Sequence, residues 1–250
     1  MIFDSHFHII DRRFELVKNN GYIPSEFRSL DYCKIVKPLN VVGGAIVSGS
    51  FQQFDQSYLI NALKELGNTF VGVTQIDTSI TDAEIIRLNN CGVRAVRFNL
   101  RQGGSATLKD LEKLAFRVHE LVSWHVELYV DSNLLNDLHD RLVKLPNFVI
   151  DHLGLSRKGL PKLLALVEKG AYVKATGFGR LDFDPQDAIT AIINLNEDAL
   201  IFGTDLPSTR APRAFQPSDI DILLSSLTTE QLKKVLYTNA ISLYRPDAHF

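Results

Sequence analysis

The sequence predicts one (β/α)8 barrel, the TIM-barrel fold, as a single domain over residues 1–250. Short apolar runs recur eight times, stretches with helical periodicity separate them, and no linker or low-complexity tract divides the chain. Nearly continuous apolar strands are typical of a parallel sheet that helices cover on both faces. Eight such units in about 250 residues match a closed barrel, and an open doubly wound sheet is the alternative.

The predicted strands are the apolar runs that are rich in β-branched residues. They span Ile2 to Ile10, Val41 to Val47, Phe70 to Ile76, Val93 to Phe98, Val126 to Val130, Phe148 to Ile150, Tyr172 to Ala175 and Leu200 to Phe202. The longest gap between strands, from Arg12 to Pro38, predicts an excursion of the first loop over the barrel mouth.

The helices between these strands are predicted from apolar spacing and from end signals. Apolar residues recur at helical spacing around Leu59, Leu111 and Leu163. N-terminal capping patterns are Thr81 with Glu84, Thr228 with Gln231, and Asp184 before Pro185; C-terminal cap positions hold Gly67, Gly92 and Gly170. The order is therefore strand then helix, repeated eight times.

Composition excludes several classes of protein. With 27 basic and 29 acidic side chains the net charge is -2, so no global positive field is available for nucleic acid or an anionic membrane. Cys33 and Cys91 form no C-x-x-C pair, and we expect two buried thiols rather than a disulfide or a zinc knuckle. No leader pattern and no apolar run of roughly 18 residues is found, which predicts a cytoplasmic protein.

Reactive side chains close several predicted strands, and the carboxyl ends of the strands are where a barrel holds its chemistry. The first strand ends in His6 and His8, which period-two alternation directs to one side. The sixth ends in His152 and the eighth in Asp205. Strands one, six and eight are adjacent or nearly so in a closed barrel, so we expect these four side chains to meet. Each of them alone could instead serve a structural hydrogen bond or a loop cap.

The remaining histidines and the paired glycines are assigned no function. His119, His125, His139 and His249 are interpreted as surface or satisfied structural residues. Gly43-Gly44 and Gly103-Gly104 lack the spacing and the lysine of a phosphate-binding loop and are interpreted as turns.

Four segments together resemble the amidohydrolase superfamily, and more narrowly its branch of lactonases acting on 2-pyrone-4,6-dicarboxylate. They are Asp4 to His8, Gly92 to Asn99, Ile150 to Gly154 and Phe202 to Pro207. The resemblance implies a TIM barrel, hydrolysis by an activated water, and Asp205 as the proton acceptor. It also implies a set of substrate-binding residues, namely Arg97, Arg101 and Arg180 for carboxylates, with Ser48 and Tyr129 as further donors.

The same resemblance bears on metal ions. Metal-dependent members carry a histidine after strand five, and binuclear members carry a lysine or acidic ligand on strand four. This chain has Tyr129 and Arg97 there, so a binuclear centre is not expected.

A mononuclear zinc or manganese site could still form from His6, His8 and Asp205, since three protein ligands and a water suffice for a catalytic ion. The lactonase branch works without metal, and we therefore expect no cofactor.

Basic residues are concentrated at the ends of the fourth and seventh strands and in the loops that follow the fourth, seventh and eighth. They are Arg97, Arg101, Lys174, Arg180, Arg210 and Arg213. The planar guanidinium group matches a carboxylate with two parallel hydrogen bonds, although loop arginines can also pair with nearby acids such as Asp131. The sequence thus predicts a hydrolase of a small carboxylated lactone. Alternatives are metal-dependent amide hydrolysis or decarboxylation on the same barrel, and a non-catalytic binder of carboxylated metabolites; the oligomeric state stays open.

Overall fold

The computed structural model describes residues 1–249, which form eight parallel strands in the order β1-β2-β3-β4-β5-β6-β7-β8. The strands are β1 Ile2–Phe7, β2 Val41–Val47, β3 Phe70–Thr74, β4 Val93–Asn99, β5 His125–Tyr129, β6 Phe148–Ile150, β7 Tyr172–Ala175 and β8 Leu200–Phe202. The (β/α)8 prediction is confirmed, and every predicted strand is present. The first strand is shorter than expected because the His8 backbone N–H donates to the Leu206 carbonyl (2.7 Å), which takes the chain out of the β1-β2 ladder.

One helix covers each strand, and two short helices follow at the end of the described chain. The helices are α1 Ser29–Val36, α2 Ser57–Leu66, α3 Asp82–Asn90, α4 Leu111–Val122, α5 Leu135–Leu142, α6 Leu160–Val167, α7 Pro185–Leu195, α8 Asp219–Ser226, α9 Thr229–Lys233 and α10 Asn239–Tyr244. Within residues 1–249, none of them combines the length and the apolar character that a bilayer span requires.

The predicted caps form. Thr81 Oγ1 accepts from the Glu84 backbone N–H at 3.2 Å, and Asp184 accepts from the Gln186 N–H at 3.0 Å. Gly67 ends α2 with a φ of +91°, a conformation that glycine adopts without penalty.

The expectation of two core thiols is wrong. Cys33 is exposed and Cys91 is half-buried. On α1 the buried positions are Ser29, Tyr32 and Val36, so Cys33 lies one residue past the inward face.

The seam between β8 and β1 is joined by backbone bonds and by one buried carboxylate. The Asp205 N–H donates to the His6 carbonyl at 2.7 Å. The Asp4 carboxylate accepts from the Thr204 N–H (2.8 Å), the Thr204 hydroxyl (2.7 Å), the Tyr32 hydroxyl (3.0 Å) and the His6 N–H (3.2 Å). Gly203 allows this approach, because a Cβ there would lie 2.6 Å from the His6 nitrogen.

The inside of the barrel is divided between apolar and charged side chains. Strands β1 to β4, β6 and β8 contribute a buried apolar cluster: Phe3, Ala45, Val47, Val71, Val73, Ala95, Val149 and Ile201. The α10 segment packs against it, with the Tyr244 ring stacked on Phe3 at 5.5 Å between centroids. Strands β5 and β7 place Glu127 and Lys174 in the interior instead, both fully buried.

Replacing the seam carboxylate should lower the stability of the protein. Asp4→Ala leaves the N–H groups of Thr204 and His6 and the Tyr32 hydroxyl without acceptors in a buried place, so we expect a loss of about 3–5 kcal/mol in the free energy of unfolding. Urea unfolding of the variant and the wild type measures this loss. Asp140→Ala, at a side chain that is 96% exposed, is the control and should change the free energy by less than about 0.5 kcal/mol. Equal effects of the two substitutions would contradict this account of the seam.

Candidate active site

His6 and His8 lie side by side at the carboxyl end of β1, and both are buried. Their ring centroids are 5.1 Å apart. His8 Nδ1 lies 2.7 Å from the Val47 carbonyl oxygen, which can only accept, so this nitrogen carries the proton and Nε2 keeps its lone pair. His8 therefore presents a hydrogen-bond acceptor to the site.

His6 has the opposite arrangement. Its Nδ1 lies 3.2 Å from Lys174 Nζ, and because a lysine ammonium group can only donate, Nδ1 accepts and Nε2 carries the proton. Asp151 Oδ1 is 3.4 Å from the same Nδ1 but has no hydrogen-bond partner among residues 1–249, which leaves Lys174 as the partner of this nitrogen. The two histidines thus offer one donor and one acceptor at their Nε2 atoms.

Asp205 completes this group from the end of β8. Its Oδ2 accepts from Arg180 Nε at 2.7 Å, while its Oδ1 lies 3.9 Å from both His6 Nε2 and His8 Nε2. Asp205 Oδ1 and His6 Nε2 are buried and have no hydrogen-bond partner among residues 1–249. Buried polar atoms in this state point to a bound water or ion, and the separations leave room for one water molecule between the three atoms.

His152 is held beside them by an unusual backbone turn after β6. Residues 152–155 all have left-handed φ angles, of 54°, 49°, 73° and 69°. Three of them are not glycine, and each such residue costs about 1–2 kcal/mol. The turn brings the His152 ring to 4.8 Å from the His6 ring, between centroids. Gly177 makes space for it, since a Cβ at that position would lie 2.6 Å from His152 Nδ1.

Burial lowers the pKa of all three histidines, and that of His8 and His152 falls well below the usual value. Nearby guanidinium groups act in the same direction, Arg97 at His8 and Arg180 at His152. Removal from water disfavours the imidazolium form, so the three rings are neutral at pH 7. They act there as dipolar donors and acceptors rather than as cations.

A cluster of paired charges lies directly below the histidines, inside the barrel. Lys174 forms a short contact with Glu127 and lies 3.5 Å from Asp151 Oδ1. Arg97 donates to Asp151 Oδ2 at 2.9 Å, and the Tyr244 hydroxyl donates to Glu127. Burial alone would raise the pKa of Asp151, but Lys174 and Arg97 hold it well below its usual range.

The sequence placed Lys174 at the barrel mouth and did not single out Glu127 or Asp151. Lys174 instead lies in the interior with no exposed area, because its position on β7 directs the side chain into the barrel rather than to the mouth. Glu127 alternates with Tyr129 on β5, so period-two spacing from a predicted site residue could have revealed it.

Above the histidines a narrow pocket opens at the carboxyl ends of the strands. It is lined by His8, Gly49, Ser50, Phe51, Arg97, Asn99, Gln102, Tyr129, His152, Arg180, Thr209 and Arg210. The expected binding residues Arg97, Tyr129 and Arg180 are among them, and the Arg97 guanidinium lies 5.3 Å from the Tyr129 ring centroid.

Two residues expected at this pocket lie elsewhere. The Ser48 hydroxyl is 2.7 Å from the Tyr58 hydroxyl, and Ser48 supports the site only through its carbonyl, which accepts from Arg97 Nη1 at 2.8 Å. Arg101 turns to the surface, where Asp131 lies 3.3 Å from it and 46% of its side chain is exposed.

The histidines that were given no catalytic role are also remote from the pocket. His125 is buried on β5 with Nε2 3.3 Å from Glu127, and His139 faces Asp140 on the surface. His119 and His249 do not line the pocket.

A family profile described as Amidohydrolase matches residues 3–245. The chain belongs to this amidohydrolase family.

Relatives of this amidohydrolase include enzymes named for lactones. It is 25% identical over 286 aligned positions to a 2-pyrone-4,6-dicarboxylate hydrolase of Comamonas testosteroni, covering 98% of this chain and 90% of that protein. It is 28% identical over 143 positions to a D-galactarolactone isomerase of Agrobacterium fabrum, covering 55% of this chain and 49% of that one.

The fold is shared with a solved protein of Acinetobacter baumannii, described as a 2-pyrone-4,6-dicarboxylic acid hydrolase with citric acid bound. The TM-score is 0.84 at 22% identity, covering 98% of this chain and 99% of that one.

The positions of His6, His8 and Asp205 suit a metal ion, but the hydrogen bonds that these residues make do not. One ligand atom each of His6, His8 and Asp205 lies within 4.8 Å of the others, as a mononuclear site requires. However, the bond from Lys174 leaves the proton on His6 Nε2, and a protonated nitrogen has no lone pair for an ion. The Arg180 guanidinium on Asp205 would also repel a dication.

The buried charge cluster should be far more important for stability than a surface pair. Lys174→Met leaves Glu127 uncompensated inside the barrel, and we expect the free energy of unfolding to fall by about 3–5 kcal/mol. Adding Glu127→Gln to this variant should restore part of the loss. The control is Arg101→Met, which breaks an exposed pair and should cost less than about 1 kcal/mol in urea unfolding. A Lys174→Met variant as stable as the control would rule out the cluster as a structural requirement.

Proposed function

We propose that this amidohydrolase hydrolyses a small carboxylated lactone and does so without a metal ion. The observation that carries the proposal is the free Asp205 Oδ1 between a donor, His6 Nε2, and an acceptor, His8 Nε2. The lactone substrates named in the two curated relatives support the substrate class, and the citric acid in the Acinetobacter protein supports a carboxylate ligand on this fold.

The three atoms can hold one water in a reactive orientation. The water donates one hydrogen to Asp205 Oδ1 and the other to His8 Nε2, and it accepts from His6 Nε2. One lone pair then remains for attack on the lactone carbonyl carbon, while Asp205 removes the proton as general base. Arg180 on the other carboxylate oxygen keeps Asp205 in place.

The carbonyl oxygen gains negative charge as the water attacks. Arg97 Nε is a buried donor without a protein partner among residues 1–249, and His152 faces the same pocket. Both can donate to the developing oxyanion, which is worth several kcal/mol in a site closed to water.

Ring opening completes the reaction. The carbon–oxygen bond of the lactone breaks, the proton held by Asp205 passes to the leaving oxygen, and the new carboxylic acid ionises. The barrel thus returns to its starting protonation state.

Removing the proposed base should abolish turnover without unfolding the protein. Asp205→Asn has nearly the same volume but cannot take the proton of the water, and we expect kcat to fall by about 10²- to 10⁴-fold. The assay follows 2-pyrone-4,6-dicarboxylate and a panel of other carboxylated lactones. Asp140→Asn, at a carboxylate that is 96% exposed, is the control. A folded Asp205→Asn variant that keeps most of its kcat would disprove the role of this residue.

The metal-dependent alternative, amide hydrolysis or decarboxylation, is favoured by the clustering of the three ligand atoms within 4.8 Å. Treatment with a chelator distinguishes this alternative from lactone hydrolysis without a metal ion. We expect kcat/KM on a lactone to be unchanged after exhaustive treatment with a chelator, because Lys174 and Arg180 provide the positive charge at the site. Activity that is lost on chelation and restored by zinc or manganese would establish the alternative. Binding of carboxylates without any turnover would instead indicate a non-catalytic binder.

A further inference from the structure

We infer that Arg210 binds a carboxylate of the substrate at the pocket mouth and so determines which lactones are accepted. The inference rests on the proposed function, because the lactone is the molecule that carries this carboxylate. Arg210 follows β8 by several residues and lines the pocket together with Asn99 and Gln102.

The first argument is charge. The Arg97 guanidinium is paired with Asp151 at 2.9 Å and that of Arg180 with Asp205 at 2.7 Å, so the protein already compensates both. Arg210 has no carboxylate partner among residues 1–249, and no Asp or Glu of that range lines the pocket. It is therefore the uncompensated cation of the site.

The second argument is fixed orientation. Arg210 Nη2 donates to the Asn19 carbonyl (2.5 Å) and to Asn19 Oδ1 (3.0 Å), and the guanidinium stacks over the Tyr22 ring at 4.4 Å. All three partners are uncharged. These bonds use one of its three nitrogens, which leaves the donors on Nε and Nη1 for an anion. A guanidinium that is already ordered loses little entropy when it binds.

The backbone supports the same interpretation. Ser208 and Arg210 have left-handed φ angles of 64° and 59°, and strain of this kind in residues other than glycine is concentrated at functional sites. Arg180 joins the two ends of the pocket, since its Nε donates to Asp205 and its Nη2 to the Thr209 carbonyl at 2.8 Å. A substrate whose carbonyl reaches Asp205 thus extends along Arg180 toward Arg210.

Arg210 could have a purely structural role, because its contacts with Asn19 also attach the first loop to the last. Asn19 Nδ2 additionally donates to the Gln102 carbonyl at 3.1 Å, so Asn19 connects three loops. A structural role would affect every substrate alike, whereas recognition of a carboxylate affects only substrates that carry it.

The test compares 2-pyrone-4,6-dicarboxylate with its 4-monocarboxylate and its 6-monocarboxylate. For Arg210→Met we expect kcat/KM to fall about 10- to 100-fold, mainly through KM, on the dicarboxylate and on one monocarboxylate, with less than about a twofold change on the monocarboxylate that lacks the bound group. Arg210→Lys keeps the charge and should lose less.

Two control variants separate recognition from structure. Arg87→Met removes an exposed arginine of α3 that is paired with Glu84 outside the pocket, and it should leave all the lactones unaffected. Asn19→Ala removes a side-chain contact that orients Arg210 but keeps the cation, so it should affect the same lactones as Arg210→Met by a smaller factor. Equal losses on all three lactones for Arg210→Met, or no loss on any, would overturn the inference.

A binding measurement keeps this test independent of catalysis. If the wild-type protein hydrolyses no lactone, the proposed function fails, and titration calorimetry with citrate still examines Arg210. The inference then requires citrate to bind the wild type and Arg87→Met equally, and Arg210→Met at least about 10-fold more weakly. A wild-type protein that binds no citrate, or an Arg210→Met variant that binds it normally, would reject the inference.

Discussion

The buried lysine of β7 is the constraint on which the site depends. Lys174 is enclosed by Glu127, Asp151 and His6, and a charge in such a place is tolerated only when its partners are complete. The Tyr244 hydroxyl on Glu127 extends this network to the terminal helix, α10. The hydrogen bonding of a histidine at the carboxyl end of the barrel thereby depends on packing in its interior.

This network gives two histidines of one motif different chemistry. His6 receives a hydrogen bond from Lys174 and donates through Nε2, whereas His8 donates to the Val47 carbonyl and accepts through Nε2. A metal centre would need lone pairs on both atoms, while a bound water is best oriented by one donor and one acceptor. Two histidines in this motif can thus support different reactions, depending on which group contacts the Nδ1 atom of each ring.

Most of the fold could be predicted from the sequence because strand burial depends on local apolar runs, which the chain shows at every strand. The meeting of His6, His8 and Asp205 also follows, since β8 and β1 are neighbours in a closed barrel. The pairing of Lys174 with Glu127 could not be predicted, because it joins β5 and β7, which are not adjacent strands of the sheet. The left-handed turn at 152–155 could not be predicted either, because leucine occupies positions there that usually favour glycine.

Arg101 and Arg210 both follow strands, and only the loop conformations place Arg101 on the surface and Arg210 in the pocket.

The division of the barrel interior explains how so many charges can be placed beside one another. The apolar cluster around Phe3, Val47 and Val73 borders the charged groups in the interior, among them Glu127 of β5 and Lys174 of β7. Apolar surroundings lower the local dielectric constant, which strengthens the pairing of Lys174 with its carboxylates and every later interaction with a developing oxyanion. They also raise the penalty for any charge left alone, which is why Arg97 and Arg180 each have a carboxylate partner before a substrate arrives. An arginine without such a partner is tolerated only nearer to water, and the mouth of the pocket, where Arg210 lies, is the place that meets this condition.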